Sequence, residues 1–236
     1  MTVRRALFVL TSIGEMPGLG RPTGWYADEF ATPYFALRDA GLSVDVASIQ
    51  GGEPPVDANS LGPKDDRKPN VARMLEDEEA SAAIKATRPV AEFDGADYDL
   101  VFLPGGHGVM WDFAQSEALA AVVGAAFRKD AVVGAVCHGP AGLLGATDAE
   151  GASILKGRRV NGFTDAEERK VELEDVVPYL LETRMRELGG VFEHSGLFES
   201  HAVRDGKLVT GQNPASVAAV SDLLLEALAD GRSAAA

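Results

Sequence analysis

Short apolar runs alternate along this chain with longer stretches of helical periodicity, and this alternation constrains the fold more than any other feature. The runs lie at residues 6–11, 44–49, 100–103 and 132–136. Strands that are apolar along their whole length are typical of parallel sheets whose two faces are both covered by helices. The pattern therefore predicts a single α/β domain with a mostly parallel sheet between helical layers.

The segments between and after these runs carry the other predicted elements. Tyr26, Phe30, Tyr34 and Leu37 recur at helical spacing, and Gly41 lies where that helix would end. The remaining predictions are helices over 116–127 and 177–188, a helix that begins at Asn213-Pro214, and strands at 158–163, near Ala202 and at 207–210.

Residues 51–85 differ from the rest of the chain. They contain four prolines and the acidic run Glu76-Asp77-Glu78-Glu79, which is too irregular for the core sheet. We predict a surface insertion with one short helix, in which the acidic run is a solvated face. The domain is predicted to span residues 1–230, with a frayed and disordered tail over 231–236.

Composition excludes several classes of protein. The 236 residues include 22 Lys and Arg against 36 Asp and Glu, so the net charge of −14 disfavours nucleic acid and anionic lipid. No apolar run approaches the roughly 20 residues of a membrane helix. The single cysteine excludes an internal disulfide, and one cysteine with four histidines makes a zinc cluster improbable. A reducing cytoplasm is the expected location.

The strongest local signal is the segment Ala131-Val-Val-Gly-Ala-Val-Cys-His-Gly-Pro140. An apolar strand that ends on a nucleophile and turns into a helix is the geometry of a nucleophile elbow. The helix N-terminus and the imidazole of His138 would both lower the thiol pKa, so we expect Cys137 to be a thiolate at neutral pH. The alternative is a buried structural cysteine.

A second strand runs into the glycine-rich turn Pro104-Gly-Gly-His-Gly108. Backbone N–H groups in such a turn can stabilise an oxyanion. No Gly-Lys-Ser/Thr follows, so the turn is not a phosphate-binding P-loop. Gly18 and Gly20 follow the first strand, but Gly24 lies one position too late for a dinucleotide fingerprint.

Carboxylates are the remaining candidates for proton transfer. Glu29 borders the apolar stripe of the first helix, where partial burial would raise its pKa, although it could also be an exposed helix residue like Asp28. Glu167 and Glu168 could be ordinary charges at a helix N-terminus. His194 and His201 are predicted to lie in loops or at an edge, without a catalytic role.

Four motifs in order carry a family resemblance: Pro104-Gly-Gly-His-Gly108, Ala135-Val-Cys-His-Gly-Pro140, Asn161-Gly-Phe-Thr-Asp165 and Thr210-Gly-Gln-Asn-Pro-Ala-Ser216. Together they resemble the ThiJ/PfpI superfamily, which is related to class I glutamine amidotransferase domains and has a flavodoxin-like or Rossmann-like sandwich fold. The first two motifs and the 51–85 insertion resemble its heat-shock-protein-31-like branch, the glutathione-independent glyoxalases.

The resemblance implies a role for individual residues. Cys137 corresponds to the nucleophile, His138 to its histidine and Glu29 to the acid beside the thiol. Glu168 corresponds to the third member of the triad, five residues after the Phe of the third motif.

Other residues are assigned by the same resemblance. The oxyanion donors would be the N–H groups of Gly106 and His138, and His107, Trp111 and Tyr26 would line the substrate site. The metal ligands of some chaperone members have no match here, so neither a metal nor another cofactor is expected. The resemblance also implies a homodimer.

The implied activity is conversion of the small dicarbonyl methylglyoxal and water to lactate, through a hemithioacetal on Cys137. The same thiol would also suit a cysteine amidase or peptidase, or a protein deglycase. A stress-related holding chaperone or a redox sensor is the alternative outside enzymes.

Overall fold

The computed structural model describes residues 3–233, and for 231–233 the backbone alone. The strands are β1 (Arg5–Leu10), β2 (Glu15–Met16), β3 (Arg21–Pro22), β4 (Ser43–Ser48), β5 (Arg88–Pro89), β6 (Leu100–Leu103), β7 (Val132–Val136), β8 (Arg159–Val160), β9 (Val191–Phe192), β10 (Ala202–Asp205) and β11 (Leu208–Gly211). The α-helices are α1 (Ala27–Asp39), α2 (Pro69–Glu76), α3 (Glu78–Lys85), α4 (Val109–Asp112), α5 (Glu117–Arg128), α6 (Asp165–Lys170), α7 (Leu181–Glu187) and α8 (Val217–Ser233).

Seven strands form one sheet in the order β10-β11-β7-β6-β1-β4-β5. Every neighbouring pair is parallel except β10 with β11, which is a hairpin at one edge. The short pairs β2–β3 and β8–β9 lie outside this sheet. The structure confirms the predicted α/β fold with a mostly parallel central sheet.

Both faces of the sheet are buried, because successive side chains of a strand point to opposite faces. Leu7 and Val9 of β1 lie in the core cluster that includes residues of α4 and α5. Ala6, Phe8 and Leu10 lie in the other cluster, with residues of α1 and α8. This explains why the core strands are apolar at every position.

The carboxyl ends of β6 and β7 bring two turns together. The strands pair in register, with Leu103 opposite Ala135, so the turn after β6 lies beside the turn after β7. A Cβ on Gly105 would lie 2.7 Å from the backbone nitrogen of His138, and one on Gly139 would lie 2.0 Å from the carbonyl oxygen of Leu103. Only glycine allows this approach, which places the two motifs at one site.

The segment 51–85 is more closely integrated than predicted. It contains two α-helices, α2 and α3, and buries Val71 and Met74 of α2 in the core cluster of α1. The acidic run is not merely a solvated face, because Asp77 accepts a hydrogen bond from the N–H of Ala80 and forms an ion pair with Arg38. The segment thus contributes to the core beside the helix that carries Glu29.

Several predicted boundaries after Cys137 are wrong. The predicted strand at 158–163 is reduced to β8, and α7 begins only at Leu181, after Pro178, which disfavours helix in the residue before it. The predicted start at Asn213-Pro214 is confirmed, with Asn213 as the cap, although the first turn, Pro214–Ser216, is a 3-10 turn that precedes α8.

The end of the chain also differs from the prediction. Helix α8 continues through Ser233, into the segment predicted as a frayed tail, and residues 234–236 lie outside the described residues. Among the helices of residues 3–233, none combines the length and apolar character needed to cross a bilayer.

Candidate active site

Cys137 lies in a strained turn directly after β7. Its φ of 59° is in the left-handed region, which is costly for a residue with a side chain. Its N–H donates to the carbonyl of Gly211 at 2.9 Å, and its carbonyl accepts from the N–H of Phe163 at 2.8 Å. These bonds hold the strained conformation, and the turn has the geometry predicted for a nucleophile elbow.

His138 connects the thiol to a carboxylate. Its Nδ1 lies 3.3 Å from the Sγ of Cys137, and its Nε2 lies 2.8 Å from Oε2 of Glu168. The Phe163 ring lies 4.3 Å from the imidazole, at an interplanar angle of 31°. With its proton on Nε2, the ring donates to Glu168 and presents an acceptor nitrogen to the thiol.

Glu168 bridges two imidazoles. Its Oε1 accepts from Nε2 of His107 at 2.9 Å, and the rings of His107 and His138 are 4.1 Å apart. Burial would raise the pKa of Glu168, but the charges and hydrogen bonds of the two histidines outweigh burial and hold it well below its usual range. Burial and the charge of His107 lower the pKa of His138, so it rests as a neutral base.

Glu29 reaches the thiol from the first turn of α1. It is fully buried, so the alternative of an exposed helix residue is wrong, and Asp28 is buried too, with an ion pair to Lys68 at 2.6 Å. Oε2 of Glu29 accepts from the N–H of Gly105 at 2.8 Å. Burial raises the pKa of Glu29 to about 8, although the hydrogen bond from Gly105 and the nearby Cys137 thiol oppose the increase. This agrees in direction with the sequence prediction.

The expected resting thiolate is not supported by the environment of Cys137. Burial raises the pKa of the thiol well above its usual range, the negative charge of Glu29 raises it further, and the N–H of His138 only partly opposes this. The helix after the elbow is a 3-10 helix of five residues, Gly139–Leu143, so its dipole is small. Cys137 therefore rests as a thiol, and its proton must leave during the reaction.

The predicted oxyanion donors lie in the two adjoining turns. Gly106 has a φ of 101°, and a Cβ there would lie 2.2 Å from the carbonyl oxygen of Gly24. Within residues 3–233, the N–H of Gly106 makes no backbone or side-chain hydrogen bond, and that of His138 interacts with the thiol. The two N–H groups stay the candidate oxyanion donors, and that of Gly106 is unpaired among the described residues.

The structure places Tyr26, but not Trp111, beside the site. The N–H of Tyr26 donates to the carbonyl of Gly105, and burial followed by the charges of Glu29 and Cys137 raises the pKa of its phenol to about 12. Trp111 is half-buried in α4 and packs against the core. No hydrogen bond or ring contact within the described residues joins it to Cys137 or His138.

Sequence reasoning missed the function of Glu167 in supporting the site. One oxygen of this buried carboxylate accepts from the N–H and the hydroxyl of Thr164, which caps α6. The other accepts from the N–H of Phe198, Nε2 of Gln212 and Nδ2 of Asn213. Glu167 therefore fixes the turn of helix that carries Glu168, and the Thr-x-x-Glu capping box was the available signal.

A second buried carboxylate supports the loop after β1. Asp112 accepts from the hydroxyl of Thr11 and the N–H of Ser12, both at 2.8 Å. Burial raises the pKa of Asp112 to about 6. This contact anchors the loop beside Gly108, since a Cβ on Gly108 would lie 2.7 Å from the carbonyl oxygen of Ile13.

The geometry defines an α/β protein with a Cys-His-Glu triad and an additional buried carboxyl beside the thiol. The chain belongs to the DJ-1/PfpI family, whose sequence profile matches residues 24–227. It is 28% identical over 236 residues to Glyoxalase 3 of Candida albicans, covering 94% of this chain and 98% of that protein.

Solved structures of related proteins have the same fold over nearly the whole chain. The crystal structure of glyoxalase III from Candida albicans superposes with a TM-score of 0.87 at 27% identity, covering 95% of this chain and 97% of that one. Rapid Encystment Protein 24 KDa of Francisella tularensis superposes with a TM-score of 0.90 at 31% identity, covering 96% and 99%. A protein/nucleic acid deglycase of Pseudomonas aeruginosa is 29% identical over 200 residues, covering 81% of this chain and 68% of that protein.

Proposed function

We propose that this protein is a glutathione-independent glyoxalase, which converts methylglyoxal and water to lactate without a cofactor. The observation that carries the proposal is the fully buried Glu29, with a pKa near 8, beside the thiol. Acyl transfer needs a nucleophile and one base, which Cys137 and His138 supply. A second proton carrier at the thiol fits a reaction that also moves a proton between two carbons.

The first step forms a covalent adduct. Nδ1 of His138, 3.3 Å from Sγ, takes the thiol proton as the sulfur attacks the aldehyde carbon. Glu168 holds the proton on Nε2 of His138 and stabilises the imidazolium that forms. The N–H groups of Gly106 and His138 stabilise the oxyanion, which then takes the proton back from the His138 imidazolium to give the hemithioacetal and a neutral imidazole.

The second step moves a proton. Ionised Glu29 removes the proton from the carbon bonded to sulfur, giving an enediol, and returns it to the adjacent carbon, giving a thioester of lactate. A pKa near the working pH suits a group that must both accept and donate. Water then hydrolyses the thioester, which releases lactate and restores the thiol.

The enclosure of the site favours a small substrate. Cys137 is 4% exposed, His138 is 1% exposed and Glu29 is fully buried. A peptide or a glycated protein would have to bring its reacting carbon to a thiol with almost no free surface, whereas a three-carbon dicarbonyl needs little space. This burial favours the glyoxalase over the peptidase and the deglycase.

A lactate assay with methylglyoxal and no glutathione tests the proposal. We expect turnover by the wild type and by Glu117→Gln, the matched change in the first turn of the distant helix α5. Glu29→Gln should reduce turnover by roughly 100-fold to 10,000-fold, the usual effect of losing a general base. Wild-type turnover in Glu29→Gln would refute the role of Glu29, and no lactate from the wild type would refute the glyoxalase.

The proposal also includes an oligomeric state and a cellular location for the enzyme. We propose a homodimer in a reducing cytoplasm, where a single catalytic thiol stays reduced. Light scattering on the purified protein tests the first statement, and cell fractionation tests the second. If methylglyoxal gives no lactate but the protein suppresses aggregation of a denatured client, the holding chaperone replaces the enzyme.

A further inference from the structure

Two members of the triad and the neighbouring His107 form a possible metal-ligand set, which the small numbers of cysteines and histidines in the sequence did not indicate. One nitrogen each of His107 and His138 and a carboxylate oxygen of Glu168 lie within 4.8 Å of one another. Two imidazoles and a carboxylate, with a fourth position open, are a common ligand set for Zn²⁺. The residues come from three separate segments, namely the turn after β6, the elbow after β7 and α6.

We propose that His107, His138 and Glu168 form an inhibitory Zn²⁺ site, in which the ion binds both Nε2 atoms and Glu168 and removes His138 from catalysis. The ion is a reversible inhibitor of the active site and takes no part in the reaction. Inhibition rests on the proposed function, whereas binding does not.

Little movement is needed for the ion to enter. The two Nε2 atoms lie 2.9 and 2.8 Å from the oxygens of Glu168. Bonds of about 2.0–2.1 Å to a tetrahedral Zn²⁺ place its ligand atoms roughly 3.3 Å apart. The contacts would therefore widen by about half an ångström. The His107 side chain is 18% exposed and gives the ion a route to the otherwise buried site.

Binding would change the protonation of both rings. Each Nε2 now shares a proton with Glu168, but a metal needs the lone pair of that nitrogen. The Nε2 proton of the neutral His138 ring therefore moves to Nδ1. The Nε2 proton of His107 moves to Nδ1 when that ring is neutral and is released to solvent when it is charged. His138 would then present an N–H to the Sγ of Cys137 and could not accept the thiol proton.

The geometry also predicts that Cys137 is not a ligand. Its sulfur lies at Nδ1 of His138, whereas Glu168, which also bonds to His107, lies at Nε2 of that ring. This separates the proposed site from ordinary capture of Zn²⁺ by a thiolate, which would require Cys137. Removing the sulfur should therefore leave the affinity for Zn²⁺ unchanged.

The test is a Zn²⁺ competition titration against a chromophoric zinc indicator, using chelator-treated, full-length protein. We expect one ion per chain for the wild type and for Cys137→Ser, with equal affinity. His107→Gln should bind roughly 10–100-fold more weakly, the loss that even a supporting partner of a ligand causes. His194→Gln, a change at an exposed histidine, should match the wild type.

Two further measurements need no variant of the site. Co²⁺ bound to the wild type should give visible bands of nitrogen and oxygen coordination without a thiolate charge-transfer band. Zn²⁺ should also slow alkylation of Cys137 by iodoacetamide, because His138 no longer accepts its proton. A thiolate band, or affinity lost in Cys137→Ser and kept in His107→Gln, would overturn the proposal.

The outcomes separate this inference from the proposed function. If Zn²⁺ binds through His107 but methylglyoxal yields no lactate, the site stands and the glyoxalase does not. If lactate forms and Zn²⁺ neither binds nor inhibits, the glyoxalase stands and the site does not.

Discussion

Replacing Glu29 with glutamine should change how stability depends on pH. The pKa of Glu29 rises from an ordinary value of 4.5 to about 8 on folding, so the folded state favours the protonated carboxyl. Stability from this group is fully present below pH 4.5 and is lost as pH rises through about 8. Glutamine keeps an oxygen for the N–H of Gly105 but has no proton to lose.

The structure sets the size of the effect. Each pKa unit corresponds to about 1.36 kcal/mol, and the full shift therefore corresponds to about 5 kcal/mol. Most of that range lies between pH 5 and pH 8, over which the wild type should lose about 3 to 4 kcal/mol of stability that Glu29→Gln keeps. Titrating groups away from Glu29, including Asp112 with its pKa of about 6, affect both proteins and cancel in the difference. Cys137 does not cancel, because Glu29 raises the pKa of its thiol, but it contributes only at the alkaline end of the range.

The assay is urea unfolding of the wild type, Glu29→Gln and Glu117→Gln at pH 5, 6, 7, 8 and 9. The difference between the wild type and Glu29→Gln should grow in favour of the variant from pH 5 to pH 8 and change little from pH 8 to pH 9, while Glu117→Gln should follow the wild type. Parallel curves for all three proteins would show that Glu29 ionises normally in the folded state, and its assignment as the proton carrier would fail.

Four other outcomes are expected. Cys137→Ser should form no lactate and keep the wild-type melting temperature, so appreciable lactate would contradict the covalent mechanism. Peroxide should add oxygen to Cys137 faster as pH rises, because the thiolate reacts and the thiol pKa is raised; an intact-mass time course independent of pH would contradict this. Glu168→Gln should lower lactate turnover by roughly 100-fold or more, because glutamine cannot stabilise the His138 imidazolium, and unchanged kinetics would refute the triad. Glu167→Gln should lower stability by roughly 1–3 kcal/mol per donor left unpaired, measured by urea unfolding, and unchanged stability would refute its supporting function.

The positions of the core strands could be predicted because a strand buried on both faces must be apolar at every residue. β6 and β7 are buried on both faces, so their sequences are apolar throughout, and the structure has them at the predicted residues 100–103 and 132–136. The predicted strand at 158–163 failed because its later residues bond elsewhere. The N–H of Asn161 donates to the hydroxyl of Thr210, and the N–H of Phe163 donates to the carbonyl of Cys137.

Contacts with residues distant in the sequence give the adjacent Glu167 and Glu168 different functions. Glu167 and Glu168 share one turn of α6, and apart from the capping box with Thr164 nothing local distinguishes their carboxylates. Glu167 bonds to Phe198, Gln212 and Asn213, which lie 31 to 46 residues further along the chain. Glu168 instead meets the histidines of the two turns. Only the family motif identified the catalytic one from sequence.

The protonation state of Cys137 follows from burial, which local sequence does not report. Reasoning from neighbours counts an imidazole and a helix N-terminus, and both favour a thiolate. The folded chain buries the thiol and adds Glu29, and these two effects favour the thiol. Because the nucleophile then rests protonated, a base must act while the bond to carbon forms. His138 meets that need, since burial and the charge of His107 keep it neutral while Glu168 fixes its proton on the far nitrogen.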